Sequence, residues 1–331
     1  MMKPLILTLD PSLHFTRDGF ADLEVWLHFF RFSWGQPPSQ GELVAHLGPR
    51  RPSRDDTDVM HWSEWSSRWG RSENRKHRDL SLAEFCQRYD TVELWFEVRP
   101  EAQLQLIWLL DHFRAYPEAV AKLKLRLVDL DMSRIGPDGV GDWRPPIVEV
   151  TERELATAHV AWQAYRSPTP EACVNLLQTD LSALPLLKPV LLDLLAELPS
   201  ASSGLGATEM RMLEMIGRGY SRTYDLFYRS DVRQTRVFNE FEYGYLLDGL
   251  AFGPTPAVAG LDDELRTLRR DNYRDRGRAY KRSRLSLTDF GKAVVAHKED
   301  FSRHNPIDRW WGGTYLTNDN LWRWSPALVK P

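Results

Sequence analysis

A chain of 331 residues with 42% hydrophobic residues, 13 Trp and 27% charged residues has ample material for a buried core and lacks the polar bias of a disordered protein. At that length two domains, or one domain with a substantial appendage, are expected. The net charge of −3 is unremarkable overall but uneven: from Gly204 onward there are 21 Lys or Arg against 17 Asp or Glu, and before it 22 against 29.

Opposite signs in the two halves imply parts that attract each other, or a C-terminal part with an acidic partner. No window approaches the roughly eighteen uninterrupted apolar residues of a membrane span. The short apolar run Met1 to Leu9, interrupted by Asp10 and Pro11, has the wrong flanks for a signal peptide. Cys86 and Cys173 lie far apart and outside any CxxC context, so neither a disulfide framework nor a thiolate zinc site is expected. These features point to a soluble cytoplasmic protein.

In chain order, Pro4 to Leu9 reads as a strand, Phe20 to Trp34 is too crowded with aromatics to assign, and Gln36 to Asp58 reads mostly as loop. Trp62, Trp65 and Trp69 recur at helical spacing, a stripe expected to face the core. Ser81 with Glu84 forms a capping box that opens a short helix. Thr91 to Val98 has the β-branched and aromatic content of a strand. Pro100 suits the first turn of a helix bearing Leu104, Ile107, Trp108, Leu110 and Phe113, and Leu123 to Asp129 alternates as a strand. Residues 91–129 are therefore expected to form a parallel, right-handed β-α-β unit.

Met132 to Pro146 reads as a loop. Thr151 with Glu154 opens a helix to Arg166, and two more helices follow at Pro170 to Leu177 and Pro185 to Leu198. Leu198 to Gly204 has the composition of a linker. Beyond it, helices are expected at Ala207 to Ile216, Ser221 to Phe227 and Phe238 to Leu250. Leu285 to Thr288 then reads as a strand end running into a further helix. The expected organisation is an α/β domain at 1–148, a helical connector at 149–203, and a mainly helical, winged-helix-like domain at 204–331 that ends in a hairpin.

Several short stretches resemble, in order, a family of uncharacterised bacterial proteins known as domain of unknown function number eighteen thirty-five. They are Leu94 to Glu97 with Gln103 to Leu106; Ala161 to Tyr165; Leu184 Pro185; Gly204 Leu205 with Thr208 Glu209; Leu287 Thr288 with Gly291; and Asp308 to Gly313 with Trp322 to Trp324. The resemblance implies no reaction. Family members open with a strand and a Gly-Asp-Ser turn and carry His and Asp after the Trp-Phe-Glu. In this chain the early stretch is Leu13 to Gly19, and Val98 Arg99 stand in place of the polar pair.

Ligands of open α/β sheets gather at the carboxyl ends of parallel strands, so Glu97, Asp129 and Asp131, with Arg99 for a phosphate, form one candidate ligand site. The GxGxxG, GxxxxGK[ST], HExxH and GxSxG signatures are missing and the nine His are scattered, so no cofactor or metal site is expected and no catalytic residue is singled out. Between Arg266 and Arg284 nine basic residues face two acidic ones, interleaved with Tyr273 and Tyr280. Together with Arg222, Arg233 and Arg236, the residues Arg274, Arg276, Arg278, Lys281 and Arg282 form a candidate nucleic-acid surface. A charge run of this kind also serves as a solvated face or a dock for acidic residues. The tail from Asp308 to Leu316, with Trp322 Arg323 Trp324, reads as a hairpin clasped by Arg and Trp.

The expected function is that of a non-enzymatic binding or regulatory protein whose C-terminal part contacts nucleic acid or an acidic protein. The alternatives are a nucleotide- or phosphate-ligand-binding protein or enzyme with its site at the strand ends, and a protein-interaction scaffold.

Overall fold

The computed structural model describes residues 4–9, 23–27, 29–50, 59–65, 79–129, 145–228, 237–269 and 271–331. The chain divides into two compact units. The first comprises Met1–Phe32, Pro37–Tyr165 and Leu176–Val190, and the second Ser33–Gln36, Arg166–Asn175 and Leu191–Pro331.

The first unit is α/β. Strands β1 (Leu5–Thr8), β2 (Leu23–Trp26), β3 (Val92–Glu97) and β4 (Leu123–Val128) run parallel, and β5 (Ile147–Glu149) adds an antiparallel edge, in the order β2-β1-β3-β4-β5. All six residues of β3 are buried, the pattern of a parallel strand covered on both faces. The β-α-β unit has the expected bounds. Helix α4 (Pro100–Phe113), with proline in its first turn, links β3 to β4 and packs on β3 and on α6 (Glu152–Tyr165). Its apolar residues are buried on more than one side, and Phe32 lies 5.1 Å from Trp108 and 4.8 Å from Trp162, ring centre to ring centre.

Two elements correct the expected loop at Gln36 to Asp58 and fill the stretch left unassigned. Helix α1 (Gln40–Leu47) opens on a complete capping box, Ser39 with Glu42, whose two reciprocal hydrogen bonds outweigh the weak propensity of Gly41. Strand β2 forms because its backbone groups pair with β1, a partner distant in sequence. Trp62 in α2 (Trp62–Trp65) is buried, while Trp69 and the stretch Leu13 to Gly19 lie outside the described residues. The capping box at Ser81 opens α3 (Leu82–Cys86), and a four-residue helix α5 (Pro117–Val120) precedes β4.

Buried charge in this unit is paired. Glu93 on β3 accepts two hydrogen bonds from Arg126 on β4, at 2.8 and 2.9 Å, and a third from the Trp95 indole at 2.9 Å. Glu101 in the first turn of α4 accepts from the Phe32 amide at 3.1 Å and from Gln105 at 2.9 Å. Desolvation holds the buried His46 and the half-buried His112 neutral, lowering the pKa of each to about 4.

The second unit is mainly helical. It contains α7 (Glu171–Leu176), α9 (Ala207–Gly217), α10 (Thr223–Tyr228), α11 (Glu240–Phe252), α12 (Tyr273–Arg282) and α13 (Asp289–Val295). Two-residue strands β6 (Val258–Ala259) and β7 (Ser286–Leu287) pair antiparallel on either side of α12. One boundary between the units falls inside α8 (Leu187–Ala196), and another at the end of α7, whose last residue Leu176 belongs to the first unit.

Residues 198–204, expected as a linker, are a packed turn. Leu198 and Ser203 are fully buried, the Gly204 amide donates to the Ser200 carbonyl at 3.0 Å, and Phe301 donates to Ser203 at 2.7 Å. Gly204 has φ +69, and a side chain there would collide with Asp300, so the Gly and Ser of this turn serve close packing and not freedom.

The C-terminal hairpin forms from β8 (Asp308–Trp311) and β9 (Thr314–Thr317), followed by the short pair β10 (Arg323–Trp324) and β11 (Leu328–Val329). Its Arg and Trp are anchored outside the hairpin: Arg309 pairs with Glu209 at 2.8 Å, Arg323 with Asp300 at 2.9 Å, and Trp311 donates to the Leu194 carbonyl at 2.6 Å. Glu197, next to this cluster, is buried and raised to about 7, mainly by burial, while Thr208 donates to it at 2.5 Å.

Two outcomes test this pairing of charge. Arg126→Met, which strands Glu93, is expected to lower unfolding free energy in urea by about 3 kcal/mol, and adding Glu93→Leu should recover most of it. Glu197 is more basic folded than unfolded, so it binds its proton preferentially in the native state. Its contribution is full below about pH 4.5 and lost as pH rises through about 7. Glu197→Gln should flatten the fall in Tm between pH 5 and 8.

Candidate functional site

The strand-end candidate of the first unit is self-neutralised. Glu97, at the carboxyl end of β3, has a side chain only 1% exposed and is gripped by Arg99 across one intervening residue, while Gln103 donates to the Glu97 carbonyl at 2.8 Å. A cation at Glu97 would have to displace the guanidinium, and a phosphate at Arg99 would have to displace the carboxylate. Asp129 follows β4 and is exposed, and Asp131 lies outside the described residues. Among the described residues no cluster of three or more His, Cys, Asp or Glu is arranged to hold a metal ion.

The basic run of the second unit is partly consumed and partly displayed. Arg276 is committed to structure: its guanidinium donates to Asp263 at 2.5 and 2.9 Å and to the Thr267 hydroxyl at 2.6 Å. That bond holds the Asp263 carboxyl below the usual carboxylate range. Arg266 lies 3.2 Å from Glu264 and 3.6 Å from Asp248. In contrast Arg274, Arg278, Lys281 and Arg282 are all exposed. Their spacing of four, three and one places them along one face of α12. At 1.5 Å per residue this stripe covers about 12 Å of helix axis, the rise of three to four phosphates of one nucleic-acid strand. Arg278 approaches Asp275 at 3.7 Å, but both are exposed, so the pair leaves the cation available.

Arg222 lies beside the C-terminal end of this helix. Its neighbour Ser221 accepts from Leu285 at 2.8 Å, and its neighbour Thr223 donates to the Tyr280 carbonyl at 3.5 Å. Arg222 itself is exposed. Arg233 and Arg236 lie outside the described residues. The two cations in the last turn of α12, Lys281 and Arg282, also face the negative end of its dipole.

What holds α12 in place is a buried aspartate. Asp248 on α11 accepts from the backbone amides of Leu265 and Arg266 at 3.0 and 2.8 Å, fixing the 3-10 turn Leu265–Thr267 that precedes the helix. Burial raises the Asp248 pKa, and those two amides oppose the rise.

Against the inner face of α12 lies a cavity of about 280 Å³ that the sequence did not disclose. Helix α10 lines it with Tyr224, Phe227 and Tyr228, α11 with Glu240, Phe241 and Tyr243, and α12 with Gly277, Tyr280 and Lys281. Tyr224 and Tyr228 stack at 4.4 Å, and Phe227 meets Tyr243 edge-on at 5.5 Å. Burial, with Asp248 and Glu240 adding negative field, raises the Tyr280 phenol above its usual pKa, so it stays protonated. Tyr224 and Tyr228 do recur at helical spacing, but such spacing alone reads as core.

No protein-family model matches this chain, and no curated protein matches it.

Arg276 and Arg274 are thus expected to respond differently to substitution. Arg276→Met should lower Tm by freeing Asp263 and the Thr267 turn, whereas Arg274→Ala should leave Tm unchanged in the same calorimetric scan.

Proposed function

We propose that this protein is a nucleic-acid-binding protein that grips the phosphate backbone with the exposed face of α12. The observation that carries the reading is the stripe of Arg274, Arg278, Lys281 and Arg282 on α12, extended by Arg222 to five exposed cations. Phosphate contact requires only such an array of solvated positive charge, and its strength comes from releasing condensed counterions.

The reading includes a winged-helix-like second unit. Three helices, α9 to α11, are followed by the β6–β7 strand pair and α13, and α12 occupies the place of the wing. The third helix of such a unit ordinarily reads bases. Here α11 has the sequence Glu-Phe-Glu-Tyr-Gly-Tyr-Leu-Leu-Asp-Gly-Leu-Ala-Phe, with no Lys, Arg, Asn or Gln, and most of it is buried. It lacks the donors that base edges in the major groove demand. The contact therefore falls to α12, and its character is backbone-directed and tolerant of sequence.

Fluorescence anisotropy of the full chain with a labelled 20-nucleotide strand tests the reading. Binding should weaken steeply with salt, and Ala at Arg274, Arg278, Lys281 and Arg282 together should cost ten-fold or more near 0.1 M salt and flatten the salt slope. Binding that ignores both salt and these four changes would sink it.

A further inference from the structure

We infer that the aromatic cavity beneath α12 receives one unpaired nucleobase, so that the favoured ligand is single-stranded nucleic acid. The inference rests on the phosphate-binding role of α12 and names the class of strand that this role serves.

The cavity and the cationic stripe are continuous. Lys281 belongs to both, as an exposed member of the stripe and a lining residue of the cavity. A strand whose phosphates follow α12 therefore brings its bases to the cavity mouth without leaving the helix. At about 280 Å³ the space is just below the range of drug-sized sites and suits a ligand of one or two fused rings.

The walls have the chemistry of a base-stacking platform. Tyr224 and Phe241, on two different helices, leave 64% and 54% of their surface in solvent while lining the cavity, so their rings are accessible to a ligand at its mouth. Every base has a π-face, so such rings hold unstacked bases whatever their identity. Glu240, also at the cavity, supplies an acceptor for the exocyclic amine of adenine, cytosine or guanine. Gly277 adds no side chain to the α12 wall of the cavity.

Duplex cannot use these features. Its bases are paired and stacked, and extruding one costs a few kcal/mol, so a cavity of this kind favours a strand already open. An aromatic peptide side chain would fit the rings equally well, but a peptide gains nothing from four aligned cations unless it is strongly acidic. The charge beside the cavity selects a polyanion that carries rings.

The test compares full-length wild-type protein with Tyr224→Ala/Phe241→Ala, both exposed positions whose loss leaves the core intact, using a 20-nucleotide mixed-sequence strand and the matching duplex. Wild type should prefer the single strand by about ten-fold. The double variant should lose about ten-fold for the strand, with an unchanged salt slope and unchanged duplex binding. A 5-iodouracil-substituted strand should photo-crosslink to the α10–α11 aromatics. Equal affinity for strand and duplex, or single-strand binding indifferent to the double variant, overturns the base cavity and leaves the phosphate reading standing. Salt-dependent binding of neither overturns both.

Discussion

A carboxylate removed from water costs several kcal/mol unless something inside the fold takes the place of the solvent, and this chain buries many of them. Strand β3 is covered on both faces yet carries Glu93 and Glu97, and α11 is largely buried yet carries Glu242 and Asp248. The architecture follows from how each is answered. Arg126 answers Glu93 and so locks β4 beside β3; Arg99 answers Glu97 at the end of the same strand. Two backbone amides answer Asp248, and the Asn239 amide answers Glu242 at 2.8 Å. These carboxylates serve as internal anchors, while Arg274, Arg278, Lys281 and Arg282 stay exposed on α12, where Asp275 approaches Arg278 at 3.7 Å.

The same arrangement explains what the sequence told of the fold. The β-α-β unit was legible because its signals are local: β-branched and aromatic residues at 91–98, proline at the first turn of α4, alternation at 123–128. Elements fixed by distant partners were not. Four residues of β2 and three of β5 form strands only because β1 and β4 offer free edges. Helix α1 had its capping box in plain view at Ser39 and Glu42, but two prolines before it and Gly41 within it carried the opposite signal. The Ser-rich turn at 198–204 shows the reverse error, small polar residues chosen for close packing against Asp300 and Ser302.

At the candidate site, charge was legible and geometry was not. The density of Arg between 266 and 284 is plain in one dimension, yet nothing there separates Arg276, held by Asp263 thirteen residues earlier, from Arg274 and Arg278, which project into water. Helix α12 itself lacks an apolar period, since its inward positions include Gly277 and the half-buried Tyr280. The cavity was invisible for a different reason: its rings come from three helices, and residues such as Tyr224 and Phe241 acquire meaning only when those helices are brought together. The strand-end carboxylate shows the converse, since Glu97 has the right place in the topology and the wrong neighbour in Arg99.

The hairpin that brackets α12 is very short. Strands β6 and β7 contribute two residues each, and Arg284 returns to donate to the Gly260 carbonyl at 3.1 Å, so the chain leaves and re-enters the core at nearly one point. Both ends of the segment are thus held by one strand pair, and Asp248 holds the turn between them through two amides. Its inward residues Leu261, Gly277 and Ser283 are buried, so a change of length or sequence there is felt by the helices beneath. The outward cations are the part of the segment that such packing leaves unconstrained, since Arg274, Arg278, Lys281 and Arg282 are exposed.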